Sequence, residues 1–174
     1  MLERLFGHKK AAGPGVGDAA PDFSLATLEG GRFTLSELLQ TGPAVIAFFK
    51  VSCPTCQFTL PFLDRLHLAY QNDPVEIWAI SQDNANKSRK FREQFGVSFP
   101  IALDGEQFPA SKSCGFSNVP TILLIDRAGQ ILHRFSGFSR ADLIRLSEEI
   151  AKLIGRPPAP VFLAGELVPE IKPG

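Results

Sequence analysis

Two hydrophobic rhythms alternate along the chain. Short unbroken apolar runs recur as "AVIAFFK" (residues 44–50), "VEIWAIS" (75–81) and "TILLID" (121–126), each bounded by turn-forming residues. Runs of this length, rich in β-branched and aromatic side chains, read as strands, and those at 44–50 and 121–126 as strands buried on both faces. Between them the apolar positions take helical spacing. From Pro54 to about Gln71 they fall at Phe58, Phe62, Leu63, Leu66 and Ala69. In "SRADLIRLSEEIAKLIG" (139–155) they fall at Leu143, Ile144, Leu146, Ile150 and Leu153. Pro54 suits a first helical turn, and Pro61 inside the pattern predicts a kink. Ser139 is placed to cap the last helix and Gly155 to end it. "NKSRKFREQFG" (86–96) predicts a charged helix closed by Gly96, and "PASKSCGF" (109–116) a short one.

The remaining segments are shorter. "APDFSL" (20–25) and "FPIALD" (99–104) read as extended, and "GRFTL" (31–35) as a strand after the Gly30–Gly31 turn. "SELLQ" (36–40) predicts a short helix capped by Ser36 and stopped at Gly42. "QILHRFSG" (130–137) follows the "DRAG" turn and predicts a hairpin. The order is β-α-β-α-β-α-β, then a hairpin and a helix. That order argues for an α/β fold with a parallel or mixed central sheet. Residues 1–17, with "AAGPGVG" at 11–17, read as a flexible leader, 18–154 as the domain and 155–174 as a proline-rich tail. Val161, Phe162 and Leu163 form an apolar cluster in that tail, so it is expected to dock on the domain or on a second chain.

Composition narrows the function classes. A chain of 174 residues buries a core without disulfide staples. Eighteen basic and 18 acidic side chains balance, which gives no electrostatic reason to expect nucleic acid or an anionic membrane as partner. The start, "MLERLFGHKK", has no apolar signal region, and the longest uncharged apolar run, "PAVIAFF" (43–49), is too short to span a bilayer. The expectation is a soluble, cytoplasmic protein.

Three cysteines remain to be explained, and two lie in "FFKVSCPTC" (48–56) as Cys53-Pro-Thr-Cys56. A zinc site needs four ligands, usually from two paired clusters. Here there is one pair, a distant Cys114 and three scattered histidines, His8, His67 and His133. A permanent disulfide across two intervening residues would stabilise little and would be reduced in the cytosol. Inert burial leaves unexplained why the pair stands where a strand gives way to a helix. A cysteine at a helix start faces unpaired backbone N–H groups and the positive end of the helix dipole, which favour its thiolate. A second thiol one turn later is near enough to attack a mixed disulfide. On this logic Cys53 is the nucleophile, Cys56 the resolving thiol, and Pro54 the residue that stiffens the turn. Cys114 reads as a small buried hydrophobe.

With "DAAPDFSL", "FFKVSCPTC", "AISQDN", "FGVSFPIALD" and "NVPTILLIDRAGQI" in this order, residues 17–153 resemble the thioredoxin superfamily. The branch is that of TlpA-type thiol–disulfide oxidoreductases and the peroxiredoxin-like alkyl hydroperoxide reductase/thiol-specific antioxidant proteins. The resemblance implies a thioredoxin-like fold, a central mixed sheet flanked by helices with the active site at a strand-to-helix junction. It implies exchange of protein disulfides through Cys53 and Cys56. It also implies a cis Pro120, a Val119 backbone that pairs with an extended substrate, and Pro54 and Thr55 beside that substrate. No cofactor beyond the redox-active disulfide is expected. The expected partners are a protein or small-molecule disulfide or thiol and a reductant protein or thiol, with no nucleic acid and no membrane, on a monomer or weak dimer.

The chain departs from the pattern in telling places. Ser52 stands where many relatives carry Trp, Ala47 where thioredoxins bury an acid, and Thr59 where many TlpA-type proteins have Glu. Neither usual proton acceptor for Cys56 is therefore present. Lys50 is near enough to tune the thiolate by its charge; Asp83 and Asp104 follow strand ends, and the sequence does not place them relative to the site. Peroxiredoxins place a hydroxyl residue and a proline ahead of their reactive cysteine, where this chain has Lys50 and Ile46. Thiol peroxidase activity, with Cys53 oxidised to sulfenic acid, stands as the alternative, and a binding module with little turnover as a third.

Overall fold

The computed structural model describes residues 13–174. Its centre is β3 (Ala44–Phe49), in which all six residues are buried. A strand covered on both faces has no polar side to show, so its sequence is a continuous apolar run. β3 pairs in parallel with β4 (Glu76–Ser81) and antiparallel with β6 (Thr121–Ile125). β5 (Ile101–Leu103) continues the sheet beside β4, and β7 (Ile131–Ser136) beyond β6. With β1 (Ser24–Thr27) and β2 (Arg32–Thr34) the order is β2-β1-β5-β4-β3-β6-β7. This is the mixed α/β sheet expected.

Alternation along β3 divides the core into two layers. Val45, Ala47 and Phe49 face α2 (Pro54–Tyr70) and α5 (Arg140–Ile154), meeting Leu60, Leu63, Leu146 and Ile150. Ala44, Ile46 and Phe48 face the other way, onto Leu25, Phe33, Ala110, Cys114 and Leu123. Trp78 belongs to this second layer, its ring 4.9 Å from that of Phe33, and its buried indole N–H finds no partner among the described residues. α3 (Ala85–Phe95) follows β4, capped by the Asn84 side chain and closed by Gly96 in the left-handed conformation. α4 (Pro109–Cys114) precedes β6.

Local readings and structure part company in a few places. α1 (Leu35–Leu38) is a single turn whose N-cap is Thr34, with no side-chain cap, so Ser36 does not cap it. The Ser36 N–H is taken instead by Asp22 Oδ1 at 3.0 Å, a partner 14 residues away. α2 spans Pro54–Tyr70 with Pro61 inside it, as the helical spacing predicts. The part of the expected leader that is described, residues 13–17, lies against the body. Gly17 donates to Ile131 O at 2.8 Å, Arg134 donates to Pro14 O, and a Cβ on Gly13 would come within 2.3 Å of Cys114 O. Residues 1–12 of that leader lie outside the described residues.

The tail docks on the same chain. Tyr70 donates its hydroxyl to Pro157 O at 3.1 Å and accepts from Ala159 N at 2.7 Å. Val161 is 3% exposed. The Phe162 ring sits 5.1 Å from Phe62 and 6.1 Å from Phe138, with the Arg140 guanidinium 4.7 Å above it. Arg65 grips Glu166 through two nitrogens at 2.8 and 2.7 Å and holds its carboxyl down to about 2. The chain then returns to pair β9 (Ile171–Lys172) antiparallel with β8 (Phe138–Ser139).

Phe162 anchors this docking by packing rather than by charge. Phe162→Ala is expected to lower stability by about 2 kcal/mol in urea unfolding, below the 3–5 of a fully buried phenyl because Phe162 is half-exposed. Amide exchange over residues 157–170 should quicken with it; unchanged exchange there would detach the tail from this contact.

Candidate active site

The redox pair is built by the turn that links β3 to α2. Cys53 N–H donates to Lys50 O at 3.2 Å, and the Val51 N–H donates to Asp83 Oδ2 at 2.8 Å. Gln57, one turn into α2, reaches back to Val51 O at 2.9 Å. The turn is thus tied to the end of β4 on one side and to its own helix on the other. Cys53 is the N-cap of α2, and its sulfur accepts the Cys56 N–H at 3.1 Å. A thiol does here what a Ser or Asp oxygen does at most helix starts. Pro54 occupies the first turn, where its missing N–H costs nothing.

Both thiols are free, and their surroundings differ. Cys53 is half-buried and its S–H points at Val119 O, 3.4 Å away. Cys56 is wholly buried among α2, β3 and their neighbours. Burial above all, then the hydrogen bond to Cys53, pushes the Cys56 thiol far above the ordinary range. The Thr59 hydroxyl is spent on Thr55 O at 2.7 Å, and no carboxylate hydrogen-bonds to either cysteine among the described residues. Asp83 serves Val51, and Asp104 accepts from Ala110 N, Ser111 N and the Ser111 hydroxyl at the start of α4.

The residues singled out in the sequence converge. Val119–Pro120 is a cis bond at the edge of the pair, and Pro120 O accepts Gly137 N–H at 2.8 Å. Thr55, between the cysteines, is 8% exposed and donates to Pro173 O at 2.6 Å. Lys50 supports Cys53 through its carbonyl, while its side chain lines a cleft of about 250 Å³ with Gln82, Lys112, Phe116 and Val119. Cys114 does not join: it lies in the second layer, across the sheet from Cys56, and burial pushes its thiol up to about 11. No group of three or more His, Cys, Asp or Glu that could hold a metal occurs among the described residues.

Three contributors escaped the sequence reading of this site. Asp83 was noted as a strand-end acid but its hold on Val51 was not legible, and Gln57 carries no motif. The approach of Pro173 to Thr55 spans 118 positions and leaves no local signal.

These environments rank the thiols. Alkylation of the reduced protein by iodoacetamide at pH 7–8, read by peptide mass, is expected to label Cys53 first. Cys56, fully buried with a strongly raised thiol, and Cys114, at about 11, should stay almost unlabelled in the native state. Equal labelling of Cys53 and Cys56 would remove the distinction between attacking and resolving thiol.

The AhpC/TSA family model matches residues 16–134. Thiol-disulfide oxidoreductase ResA of Geobacillus thermodenitrificans is 33% identical over 123 residues, 70% of each chain. Among solved structures, a putative thiol:disulfide interchange protein DsbE from Chlorobium tepidum is 26% identical. It superposes with a TM-score of 0.72, covering 80% of this chain and 97% of that one. A putative protein disulfide isomerase from Bacteroides thetaiotaomicron shares the fold, with a TM-score of 0.74 at 23% identity over 81% of this chain and 91% of that one. A half-exposed thiol capping a helix, a buried thiol one turn on and a cis-proline edge are the parts thiol–disulfide exchange needs, and the chain belongs to the AhpC/TSA family as a thioredoxin-fold thiol–disulfide oxidoreductase.

Proposed function

We propose that the chain catalyses dithiol–disulfide exchange on protein partners, with Cys53 attacking and Cys56 resolving. The observation that carries this division is the contrast between a half-exposed sulfur at the start of α2 and a fully buried one a turn later. The Cys53 thiolate attacks one sulfur of a substrate disulfide, forming a mixed disulfide and releasing the first substrate thiolate. Cys56 then attacks Cys53 sulfur, the Cys53–Cys56 bond forms, and the second substrate thiol leaves. Two electrons and two protons pass from the protein dithiol to the substrate. A partner thiol or dithiol protein restores the reduced pair by the reverse sequence.

The second step has a distinctive demand. Cys56 must lose its proton to become a nucleophile, yet its thiol is raised and no carboxylate hydrogen-bonds to it among the described residues. The proton passes to water ahead of the attack, so resolution is the slow step. Because the folded thiol titrates far above neutrality, its thiolate fraction grows with pH across the whole accessible range.

The test is single-turnover reaction of the reduced protein with insulin, beside peroxide consumption. Cys53→Ser is expected to abolish exchange, and Cys56→Ser to accumulate the mixed disulfide. In the unaltered protein the mixed disulfide should decay about tenfold faster per pH unit from 6 to 8, as the Cys56 thiolate fraction rises. A plateau within that range would reveal a general base near Cys56. Peroxide reduction outpacing insulin reduction would overturn the exchange reading in favour of a peroxidase.

A further inference from the structure

The returning tail lies on the redox centre itself. Pro173 O accepts the hydroxyl of Thr55, the residue between the two cysteines, at 2.6 Å. Gly174 is pressed so close to Val119 that a Cβ on it would stand 2.6 Å from Val119 O, the oxygen that receives the Cys53 S–H. A Cβ on Gly137 would lie 2.6 Å from Lys172 O, so the tail runs flush along the start of β8. Lys172 Nζ closes over the Phe58 ring at 4.9 Å.

Root and tip are held very differently. The root is fastened by the buried Val161, the Phe162 stack and the Arg65–Glu166 pair. The tip has a two-residue strand, one further backbone bond from Arg140 N to Glu170 O at 2.9 Å, a long Arg140–Glu170 ion pair at 4.0 Å, the Lys172–Phe58 contact and the Thr55 contact. Ile171 is 71% exposed, so the tip is held by its backbone more than by apolar burial. Leu167, between root and tip, is 99% exposed. Two-residue pairing of this kind is weak by itself, so the tip is a light latch on a firm root.

The geometry points to residues 170–174 as a specificity-determining strap that slows the docking of protein disulfides at Cys53 while leaving small disulfides free to react. This rests on the exchange reading and deepens it. An extended polypeptide that docks by its backbone needs the surface along Thr55 and Val119, which the strap covers. Strap and substrate backbone compete for one place. A small disulfide needs no such backbone docking, and beside the thiol lies a cleft bounded by Lys50, Gln82, Lys112, Phe116 and Val119, the residue whose carbonyl receives the Cys53 S–H; no tail residue lines it. Lys50 and Lys112 make no ion pair among the described residues, so an anionic disulfide meets two uncompensated cations there.

Deletion of residues 169–174, which spares Val161, Phe162 and Glu166, tests this. Reduced full chain and truncated chain are each mixed with insulin and with the dianionic small disulfide dithiobis(nitrobenzoate), and single-turnover rates are compared. Truncation is expected to raise the insulin rate about fivefold or more, the factor by which a mostly latched strap would reduce the competent fraction, and to leave the small-disulfide rate within about twofold. A synthetic peptide of residues 168–174 at millimolar concentration should slow the truncated protein's insulin reaction and spare its small-disulfide reaction. An insulin rate that is unchanged or lower after truncation, or both rates rising together, overturns the strap. Failure of both proteins to react with the small disulfide would sink the exchange reading beneath it.

Discussion

A single hydrogen bond organises the redox end of the molecule: Cys56 N–H to Cys53 Sγ at 3.1 Å. The first turn of any helix leaves its N–H groups without carbonyl partners. Here one of those donors is answered by a sulfur instead of an oxygen, so the group that caps the helix is itself one thiol of the pair. This arrangement demands a rigid platform. β3 supplies it by burial on both faces, and Asp83 and Gln57 hold the intervening turn from opposite sides. Cys56 then falls into the core one turn along, protected from solvent, with its thiol raised by that burial.

The same sheet that supports the pair also separates the third cysteine from it. Cys114 is buried against Ala44, Ile46 and Phe48, and Cys56 against the residues that alternate with them. Each thiol is enclosed in its own apolar layer. Without a chain rearrangement that opens the sheet, Cys114 cannot enter an intramolecular exchange with the pair. Three cysteines thus behave as two and one.

Elements set by local chemistry were legible in the sequence. The continuous apolar run of β3, the helical spacing of α2 and α5, the Gly96 stop and the Ser139–Gly155 punctuation all depend on residues within a few positions of one another. The strand-to-helix setting of Cys53 and Cys56 followed from the same signals, and the resemblance supplied the cis bond at Pro120. What escaped depends on distance along the chain. Ser36 looks like a cap until Asp22 is folded beside it. The tail's apolar cluster announced that it docks, but not that its tip turns back to Thr55, because a carbonyl meeting a hydroxyl 118 residues away leaves no pattern in either segment.

Trp78 has an optical consequence. It is the chain's single tryptophan, and it sits in the layer opposite Cys56, packed on Phe33, while Ser52 occupies the position beside the reactive cysteine. Indole emission follows the polarity and quenchers in immediate contact with the ring. Oxidation of the Cys53–Cys56 pair therefore changes little that this fluorophore senses, whereas loss of the second layer exposes it to water. Intrinsic fluorescence in this protein is a thermometer of the fold and not a meter of its redox state.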